Sequence, residues 1–278
     1  MIVFLNGKFV DEKQAKVSVF DHGFLYGDGI YETLRTYDGK IWQLDEHLKR
    51  LRKSARMLKI DVPWKDAQLS SWLLKLLKMN GFDESRIRIT VTRGLNDFDF
   101  SGGKKPTLLM VVQKFKKEPA SVYEKGVDVV LLPWKRILPE AKSISLLPMI
   151  LGQQFVVKKK AYEGLFLGEK DEVLEGTITN VTAVFGNVLV APSRGVLAGC
   201  TQEMVLKLAK KNGFKIENRQ LFLSELLKAD EVFLTNAPRG IIPVRSIDGK
   251  KIGNGEPGSV TIQLLSQFKA AVSPQKRK

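Results

Sequence analysis

The sequence predicts an α+β protein of two domains, a smaller N-terminal α/β domain and a larger, β-rich C-terminal domain. Three observations lead to this prediction. The chain has 278 residues, a length that suits one large domain or two smaller ones. Short stretches with strand-like alternation are mixed with amphipathic stretches at helical spacing. A polar segment with a proline, residues 115–121, interrupts both patterns near the middle of the chain.

The N-terminal half is predicted to contain mostly strands, with two helices between them. Asn6-Gly7 and Asp38-Gly39 favour tight turns, so each should join the two strands of a hairpin. Apolar residues at helical spacing predict a helix over 45–58 and a second one over 65–80, which Gly81 ends. The strands predicted in this half are residues 2–5, 8–10, 16–20, 30–37, 40–44, 86–93 and 107–113.

The C-terminal half is predicted to be richer in strands. Because residues 115–121 have no periodicity, we place the boundary there: residues 1–116 form the first domain, 117–121 a linker and 122–278 the larger domain. The predicted helices are residues 147–162, 201–212 and 223–229. The predicted strands are residues 127–132, 163–167, 172–174, 179–185, 187–191 and 231–235.

The composition excludes several classes of protein. One cysteine cannot form a disulfide framework or a cysteine metal cluster. No apolar run approaches the ~20 residues of a membrane-spanning helix, and the apolar N-terminal run is too short for a signal peptide, so we expect a soluble cytoplasmic protein. The tail Gln275–Lys278 is expected to fray.

The chain carries 45 Lys and Arg against 30 Asp and Glu, a formal net charge of +15. This excess suits a nucleic-acid binder, a protein that attracts an anionic substrate or cofactor, or simply a solvated lysine-rich surface. The sequence has no zinc finger, no aromatic RNA-binding strand motif and no basic zipper. Nucleic-acid binding is therefore the minority hypothesis.

Two loops have the composition of ligand-binding segments. Three glycines lie among acids and aromatics in residues 21–32, so this stretch is either a bent connection or a loop pressed against a ligand. Gly199 and Cys200 precede the helix predicted to begin at Thr201. Because the first N–H groups of a helix lack partners within it, this helix start is a candidate anion site.

Other residues leave their roles open. The stretch 175–180, which begins with Glu175, is either a polar turn or a carboxylate held at a strand end. By composition, Lys142 is one lysine among many, and Cys200 is equally a packed residue. His22 and His47 are not spaced as metal ligands, so we expect no metal site, and His47 is interpreted as structural.

Five blocks, taken together and in order, resemble the fold-type IV family of pyridoxal-phosphate (PLP) enzymes, the class IV aminotransferases. The family includes branched-chain and D-amino-acid aminotransferases and 4-amino-4-deoxychorismate lyases. The resemblance runs from Phe4 to Gly249. It implies a D-amino-acid aminotransferase-like fold, PLP as the cofactor, and a homodimer with the active site at the domain and subunit interface. The blocks are residues 26–33, 47–51, 141–143, 175–180 and 197–201.

The resemblance also assigns cofactor residues. Lys142 matches the lysine that forms the Schiff base with PLP and then moves the substrate proton as a general acid and base. Glu175 matches the carboxylate facing the pyridine nitrogen, and Arg50 matches the phosphate-binding arginine. The other cofactor residues that it implies are Arg136 at the ring hydroxyl, Leu197 against the ring, Cys200 and Thr201 through backbone N–H groups, and Asn236.

Substrate recognition departs from the family pattern. Phe98 and Phe100 stand where D-amino-acid aminotransferases have an Arg and a His for the substrate carboxylate. Pro238, which has no N–H, lies in the turn where branched-chain enzymes use two backbone N–H groups. Leu147 replaces the Tyr that those enzymes carry five residues after the Schiff-base lysine.

The function implied is a PLP-dependent aminotransferase that moves an amino group between an α-amino acid and a 2-oxo acid by a ping-pong mechanism. The Tyr31-Glu32 pair favours this activity, whereas the Asn236-Ala237 pair is more typical of the alternative, a deoxychorismate lyase that eliminates pyruvate. A basic nucleic-acid-binding protein is the remote alternative. The candidate substrate-binding residues are Tyr31, Arg35, Arg88, Ala237 and Arg239.

Overall fold

The computed structural model describes residues 1–96, 98–100 and 102–273, and these form two compact units. The first unit is Met1–Lys116 with Ala141–Leu146, and the second is Lys117–Glu140 with Leu147–Lys278. Residues 141–146, which the predicted boundaries assign to the larger domain, therefore group with the first unit. The predicted fraying of residues 275–278 lies outside the described residues.

The first unit is built on a six-stranded antiparallel sheet with the order β2-β1-β6-β5-β3-β4. Apolar side chains of the two longer helices and of one sheet face form its core. Its strands are β1 (Ile2–Leu5), β2 (Lys8–Asp11), β3 (Gly29–Tyr37), β4 (Lys40–Ile41), β5 (Ser85–Thr92) and β6 (Leu108–Lys114), and its helices are α1 (His22–Tyr26), α2 (Leu44–Leu58) and α3 (Asp66–Asn80).

Alternation along β3 decides which side chains are available for chemistry. Ile30, Glu32 and Leu34 are buried, whereas Tyr31 and Arg35 point to the opposite face and are only partly covered. Successive side chains of a strand point to opposite faces. One strand thus supplies both a buried carboxylate and a partly open aromatic ring.

The predicted strand over residues 16–20 is wrong. These residues pair with no strand, and Val17, Val19 and Phe20 are exposed. The glycine-containing segment after them holds the unpredicted helix α1, which begins where Asp21 accepts a hydrogen bond from the Gly23 N–H (2.8 Å).

The second unit is built on a nine-stranded mixed sheet with the order β12-β11-β10-β13-β14-β7-β8-β9, and β15 pairs with β14. Apolar side chains of these strands form a second core. The strands are β7 (Val127–Leu131), β8 (Glu163–Leu167), β9 (Val173–Gly176), β10 (Asn180–Phe185), β11 (Val188–Ala191), β12 (Lys215–Asn218), β13 (Glu231–Asn236), β14 (Gly240–Ile247) and β15 (Lys250–Lys251), and the helices are α4 (Ala120–Glu124), α5 (Leu147–Lys158), α6 (Cys200–Lys211), α7 (Leu223–Leu226) and α8 (Ser259–Val272).

Five elements of the second unit were not predicted: α4, β12, β14, β15 and α8. A proline within an apolar run argues against a central strand, and Pro243 lies inside β14. The structure accommodates it because the pairing of β14 with β7 begins only after the proline, at Val244. Helix α5 ends at Lys158, before the predicted residue 162, and Lys160 has a left-handed backbone (φ 55°).

Candidate active site

Lys142 is fixed by its backbone in the first unit. Its carbonyl oxygen accepts a hydrogen bond from the Tyr31 N–H of β3 (2.9 Å), and its own N–H donates to the Ser54 Oγ of α2 (3.0 Å). A β-bridge joins the next residue, Ser143, to Ile30. The Lys142 ammonium nitrogen lies 4.7 Å from the centroid of the Tyr31 ring. Two secondary-structure elements thus aim this amine at one aromatic ring.

Arg88 contacts the same ring. Its guanidinium carbon lies 3.6 Å from the Tyr31 ring centroid, since Arg88 on β5 pairs with Thr33, two residues along β3 on the same face. A cation over a tyrosine face is attracted by the ring quadrupole. Burial lowers the pKa of Arg88, although the tyrosine opposes this. The Tyr31 ring therefore contacts the amine of Lys142 and the guanidinium of Arg88, and both residues were predicted to belong to the site.

Arg50 lies with a buried carboxylate that the sequence analysis did not select. Its Nε and Nη2 donate to the two oxygens of Glu32 at 2.8 and 2.7 Å, and His47 Nδ1 lies 2.7 Å from the same carboxylate. Burial opposes ionisation of Glu32, but the charge and hydrogen bonds of Arg50, with His47, outweigh it and lower its pKa to about 2. Such a two-point pair fixes the orientation of the guanidinium.

His47 completes this arrangement as a neutral donor. Burial lowers the pKa of His47, and the positive charges of Arg50 and Lys142 act in the same direction, against the opposing effect of Glu32. A neutral imidazole beside an ionised carboxylate donates its Nδ1–H to it. The interpretation of His47 as structural is consistent with this contact.

In the second unit, Glu175 stands at the end of β9 with two partners. Its carboxylate forms a close ion pair with Arg136 Nη1, and it accepts a hydrogen bond from the Leu197 N–H (3.0 Å). Glu175 is buried, and the Arg136 side chain is 9% exposed. Arg136, predicted for the ring hydroxyl of the cofactor, is placed by the structure against the carboxylate predicted for the ring nitrogen.

Both backbone polar groups of Leu197, its N–H and its carbonyl, form hydrogen bonds with side chains. Its N–H binds Glu175, and its carbonyl oxygen accepts a hydrogen bond from Asn180 Nδ2 (2.8 Å). Asn180 is the first residue of β10 and is buried. Asn180 is the last residue of the 175–180 motif and was not among the predicted site residues, although an amide directly after a polar turn is a signal for such a contact.

Helix α6 begins at Cys200, one residue before the predicted start at Thr201, and its first turn carries an unsatisfied group. Gly199 precedes the helix and provides no side-chain cap, and Cys200 and Thr201 are buried in its first turn. Within the described part of the chain, the buried Thr201 hydroxyl has no hydrogen-bond partner. A buried hydroxyl without a partner at the first turn of a helix, where the helix dipole attracts anions, matches the needs of a phosphate.

The remaining candidates have structural contacts of their own. The Arg35 guanidinium stacks between the rings of Tyr37 and Phe115, with its carbon 4.1 and 3.7 Å from their centroids. Arg239 Nε donates to Glu118 (2.7 Å).

The turn between β13 and β14 holds the last two candidates. Asn236 accepts a hydrogen bond from the Arg239 N–H (2.8 Å), which closes this turn, and Ala237 lies within it.

The family model described as amino-transferase class IV matches residues 29–247. The chain belongs to the class IV aminotransferase family. The predicted family and α+β fold are thereby confirmed. Class IV aminotransferases are PLP-dependent enzymes, and PLP is the cofactor of this chain.

Two relatives and one solved structure give the range of the family. A putative branched-chain-amino-acid aminotransferase of Methanocaldococcus jannaschii is 38% identical, over 97% of this chain and 96% of the relative. An aminodeoxychorismate lyase of Bacillus subtilis is 32% identical, over 98% and 94%. The T.th. branched-chain amino acid aminotransferase with pyridoxamine 5'-phosphate superposes with a TM-score of 0.94 at 26% identity, over 99% of this chain and 95% of that one.

The residues of this class IV aminotransferase fit PLP. The unpartnered Thr201 hydroxyl suits the phosphate, the buried Glu175 suits the ring nitrogen, and the Lys142 amine suits the aldehyde. Among the described residues, no helix has both the length and the apolar character needed to cross a membrane.

Proposed function

We propose that this enzyme transfers an amino group between an α-amino acid and a 2-oxo acid, with Lys142 as the catalytic acid and base. The observation that carries the proposal is the placement of the Lys142 amine and the Arg88 guanidinium on one Tyr31 ring. An amino acid offers a carboxylate for a guanidinium and a Cα proton for an amine. The three side chains supply both contacts within one unit.

The cofactor residues follow from the same assignment. PLP, when bound, withdraws electrons from the Cα of the substrate. Lys142 would hold the cofactor, accept the Cα proton and return it. Glu175 would face the ring nitrogen, with its orientation set by Arg136 and the Leu197 N–H.

Two sets of protein groups are proposed to bind the phosphate of the cofactor. Thr201 and the first N–H groups of α6 would bind it through hydrogen bonds. Arg50, oriented by its two-point pair with Glu32, would supply the positive charge. The net charge of +15 suits anionic substrates and a phosphate as well as nucleic acid, and the class IV aminotransferase match favours the former, so we do not propose nucleic acid as a partner.

The second candidate activity is elimination of pyruvate from aminodeoxychorismate. It is favoured by the turn over residues 236–239, where Pro238 offers no N–H to a substrate carboxylate and Asn236 is engaged with Arg239. The lyase of Bacillus subtilis among the relatives supports testing it. Both activities use the same Lys142 and Glu175.

The deciding experiment is a visible absorption titration of the PLP-loaded enzyme. L-Leucine, L-glutamate and D-alanine are added one at a time, and 2-oxoglutarate follows. Loss of the PLP band with one donor and its return with the oxo acid would support the transferase and identify its donor. Pyruvate release from aminodeoxychorismate, without any response to the three donors, would favour the lyase. A protein that never develops a PLP band would refute both.

We also propose a homodimer in the cytoplasm. Large apolar side chains are exposed in each unit, among them Phe24 and Phe100 in the first and Leu147 and Ile150 in the second, and a second copy would cover them. A lone cysteine leaves no disulfide framework for an oxidising compartment. Light scattering on the purified enzyme should give twice the mass of the 31.2 kDa chain.

A further inference from the structure

A second buried glutamate lies close to the proposed cofactor residues of the second unit. Glu163 is the first residue of β8 and is fully buried. Among the described residues, no lysine, arginine or histidine forms an ion pair with it, and its hydrogen-bond donors are all neutral. A buried carboxylate without a cation is costly unless hydrogen bonds replace its water. Glu163 therefore needs an explanation that its own strand does not provide.

The donors to Glu163 come from three parts of the second unit. Gly164 follows it on β8 and Gln153 lies on α5, while the remaining donors belong to one short turn. The Oε1 atom accepts from Gly164 N (2.9 Å), Thr177 N (3.2 Å), Thr177 Oγ1 (2.5 Å) and Gln153 Nε2 (3.2 Å), and Oε2 accepts from Thr179 Oγ1 (3.0 Å) and Ile178 N (3.4 Å). Four of these six contacts come from residues 177–179. Glu163 thus serves as the anchor of that turn.

The turn connects the two residues that hold Leu197. Glu175 precedes it near the end of β9, and Asn180 immediately follows it at the start of β10. A hydrogen bond from Gly176 N to Thr179 O (2.7 Å) closes the turn itself. Since Glu175 binds the Leu197 N–H and Asn180 binds the Leu197 carbonyl, the shape of the turn sets the spacing of both contacts.

Gly176 leaves no room for a larger side chain at the start of the turn. A Cβ atom added to Gly176 would clash with Thr179 Oγ1 and would lie 3.0 Å from the carboxyl carbon of Glu163, closer than real Cβ atoms normally approach. The turn therefore packs closely against the anchoring carboxylate, to which the Thr177 and Ile178 N–H groups also donate. We expect a change at that carboxylate to alter the turn and hence the residues on either side.

We propose that Glu163 is a positioning residue for the PLP ring: it acts through the turn over residues 176–179 to set Glu175, Asn180 and Leu197. The inference rests on the proposed assignment of Glu175 and Leu197 to the cofactor. No atom of Glu163 touches the ring in this proposal. Its effect comes from two oxygens that together accept six hydrogen bonds, whereas a glutamine amide of the same shape offers only one acceptor oxygen.

The test compares Glu163→Gln with Glu169→Gln in the full-length enzyme. The first change keeps the shape but replaces one acceptor oxygen by an N–H₂ group that faces the Ile178 N–H or the other donors. The second is a matched control, because Glu169 lies in the same unit with its side chain 84% exposed. Two quantities are measured: the dissociation constant of PLP from the apoenzyme, and the pH midpoint of the visible band of the bound cofactor.

We expect Glu163→Gln to weaken PLP binding by about tenfold or more, the scale of losing hydrogen bonds to a charged group, and to shift the pH midpoint. Glu169→Gln should match the wild type in both. Thr179→Val, which removes a single donor, should shift both quantities in the same direction by less, and it keeps the proposal testable if Glu163→Gln does not fold.

Unchanged PLP affinity and pH midpoint in Glu163→Gln, even with a lowered unfolding temperature, would overturn the proposal, because the residue would then be merely structural. If Glu163→Gln does not fold, Thr179→Val is measured instead. A PLP affinity and a pH midpoint equal to those of the wild type in Thr179→Val would then overturn the proposal in the same way. A wild-type protein that fails to bind PLP would instead refute the proposed function.

Discussion

Each unit buries one glutamate beside its proposed site residues, and the two are held by different forces. Glu32 in the first unit faces the cation of Arg50 at 2.7 and 2.8 Å and the imidazole of His47. Glu163 in the second unit is surrounded by neutral hydroxyl, amide and backbone N–H donors. The first arrangement depends on charge and hence on pH. The second depends on the number and direction of hydrogen bonds.

The difference follows from what each unit has to hold. The first unit contains three basic site residues, Lys142, Arg88 and Arg50. The carboxylate of Glu32 neutralises the charge of Arg50, and this ion pair is largely buried. In the second unit Arg136 already pairs with Glu175. Among the described residues, only neutral groups donate to Glu163, and they hold the turn without a further cation. The first unit thus orients its carboxylate by charge, and the second orients its carboxylate by neutral hydrogen-bond donors.

The largest expected effect is on catalysis in the first unit. Lys142→Ala should lower kcat by at least ~10³-fold, because it removes the amine that would move the proton. The fold should persist, since the backbone contacts of Lys142 to Tyr31 and Ser54 do not involve its side chain. Single-turnover kinetics and circular dichroism check the two parts. Lys135→Ala, an exposed lysine of the second unit, is the control, and wild-type turnover in Lys142→Ala would refute the assignment.

The next largest expected effect is on the pH dependence of stability, which shows whether the charge of Glu32 or its contact geometry stabilises the first unit. The pKa of Glu32 is about 2 in the folded protein against an ordinary value of 4.5, so its ionised form contributes about 3 kcal/mol to folding at pH 7. A lowered pKa means that this stability is present above pH 4.5 and is lost as the pH falls toward 2. Glu32→Gln should thus destabilise the enzyme by about 3 kcal/mol at pH 7 and by about 2 kcal/mol at pH 3.5.

Urea unfolding of wild type and Glu32→Gln at pH 7, 5 and 3.5 measures this difference. Glu169→Gln, in which an exposed carboxylate is lost, should show almost no difference from the wild type at any of these pH values. A gap for Glu32→Gln that does not change with pH would mean that geometry, rather than charge, stabilises the first unit as well.

Local sequence signals and the family resemblance predicted part of the fold and of the site, and they missed contacts between residues far apart in the chain. Local signals were sufficient for α2, α3 and the start of α6, because apolar spacing and a preceding glycine act over a few residues. Lys142 and Glu175 were selected because the family resemblance rests on short blocks around them. Glu163 was missed because its turn donors lie 14 to 16 residues later in the chain.

Side-chain partners were the other limit. Arg35 and Arg88 lie on neighbouring strands with the same pattern, yet one stacks between Tyr37 and Phe115 and the other on Tyr31. Only strand register and tertiary packing distinguish them. Helix α8, by contrast, was predictable, since its buried residues 261, 264, 265, 268 and 272 follow helical spacing.

A smaller effect probes the phosphate end of the second unit. Thr201→Val removes a buried hydroxyl that lacks a partner among the described residues, so the apoenzyme should keep its stability or gain up to ~1 kcal/mol. PLP binding should weaken about tenfold, because a hydrogen bond to a charged phosphate is lost. Thr201→Ser keeps the hydroxyl and should bind like the wild type. Equal PLP affinity for the Val and Ser variants would remove Thr201 from the phosphate site.

The smallest expected effect tests whether burial or contact geometry determines how much the Arg50–Glu32 pair contributes to stability. Arg245 donates to Asp128 at 2.8 and 2.5 Å, distances similar to those of the Arg50–Glu32 pair, but its side chain is 44% exposed. Water screens such a pair and competes for its hydrogen bonds, so Arg245→Ala should cost less than ~1 kcal/mol, and the cost should shrink further in high salt. Urea unfolding at low and high ionic strength measures both. A cost equal to that of Glu32→Gln would show that contact geometry determines the strength of these pairs, whereas a small one assigns the difference to burial.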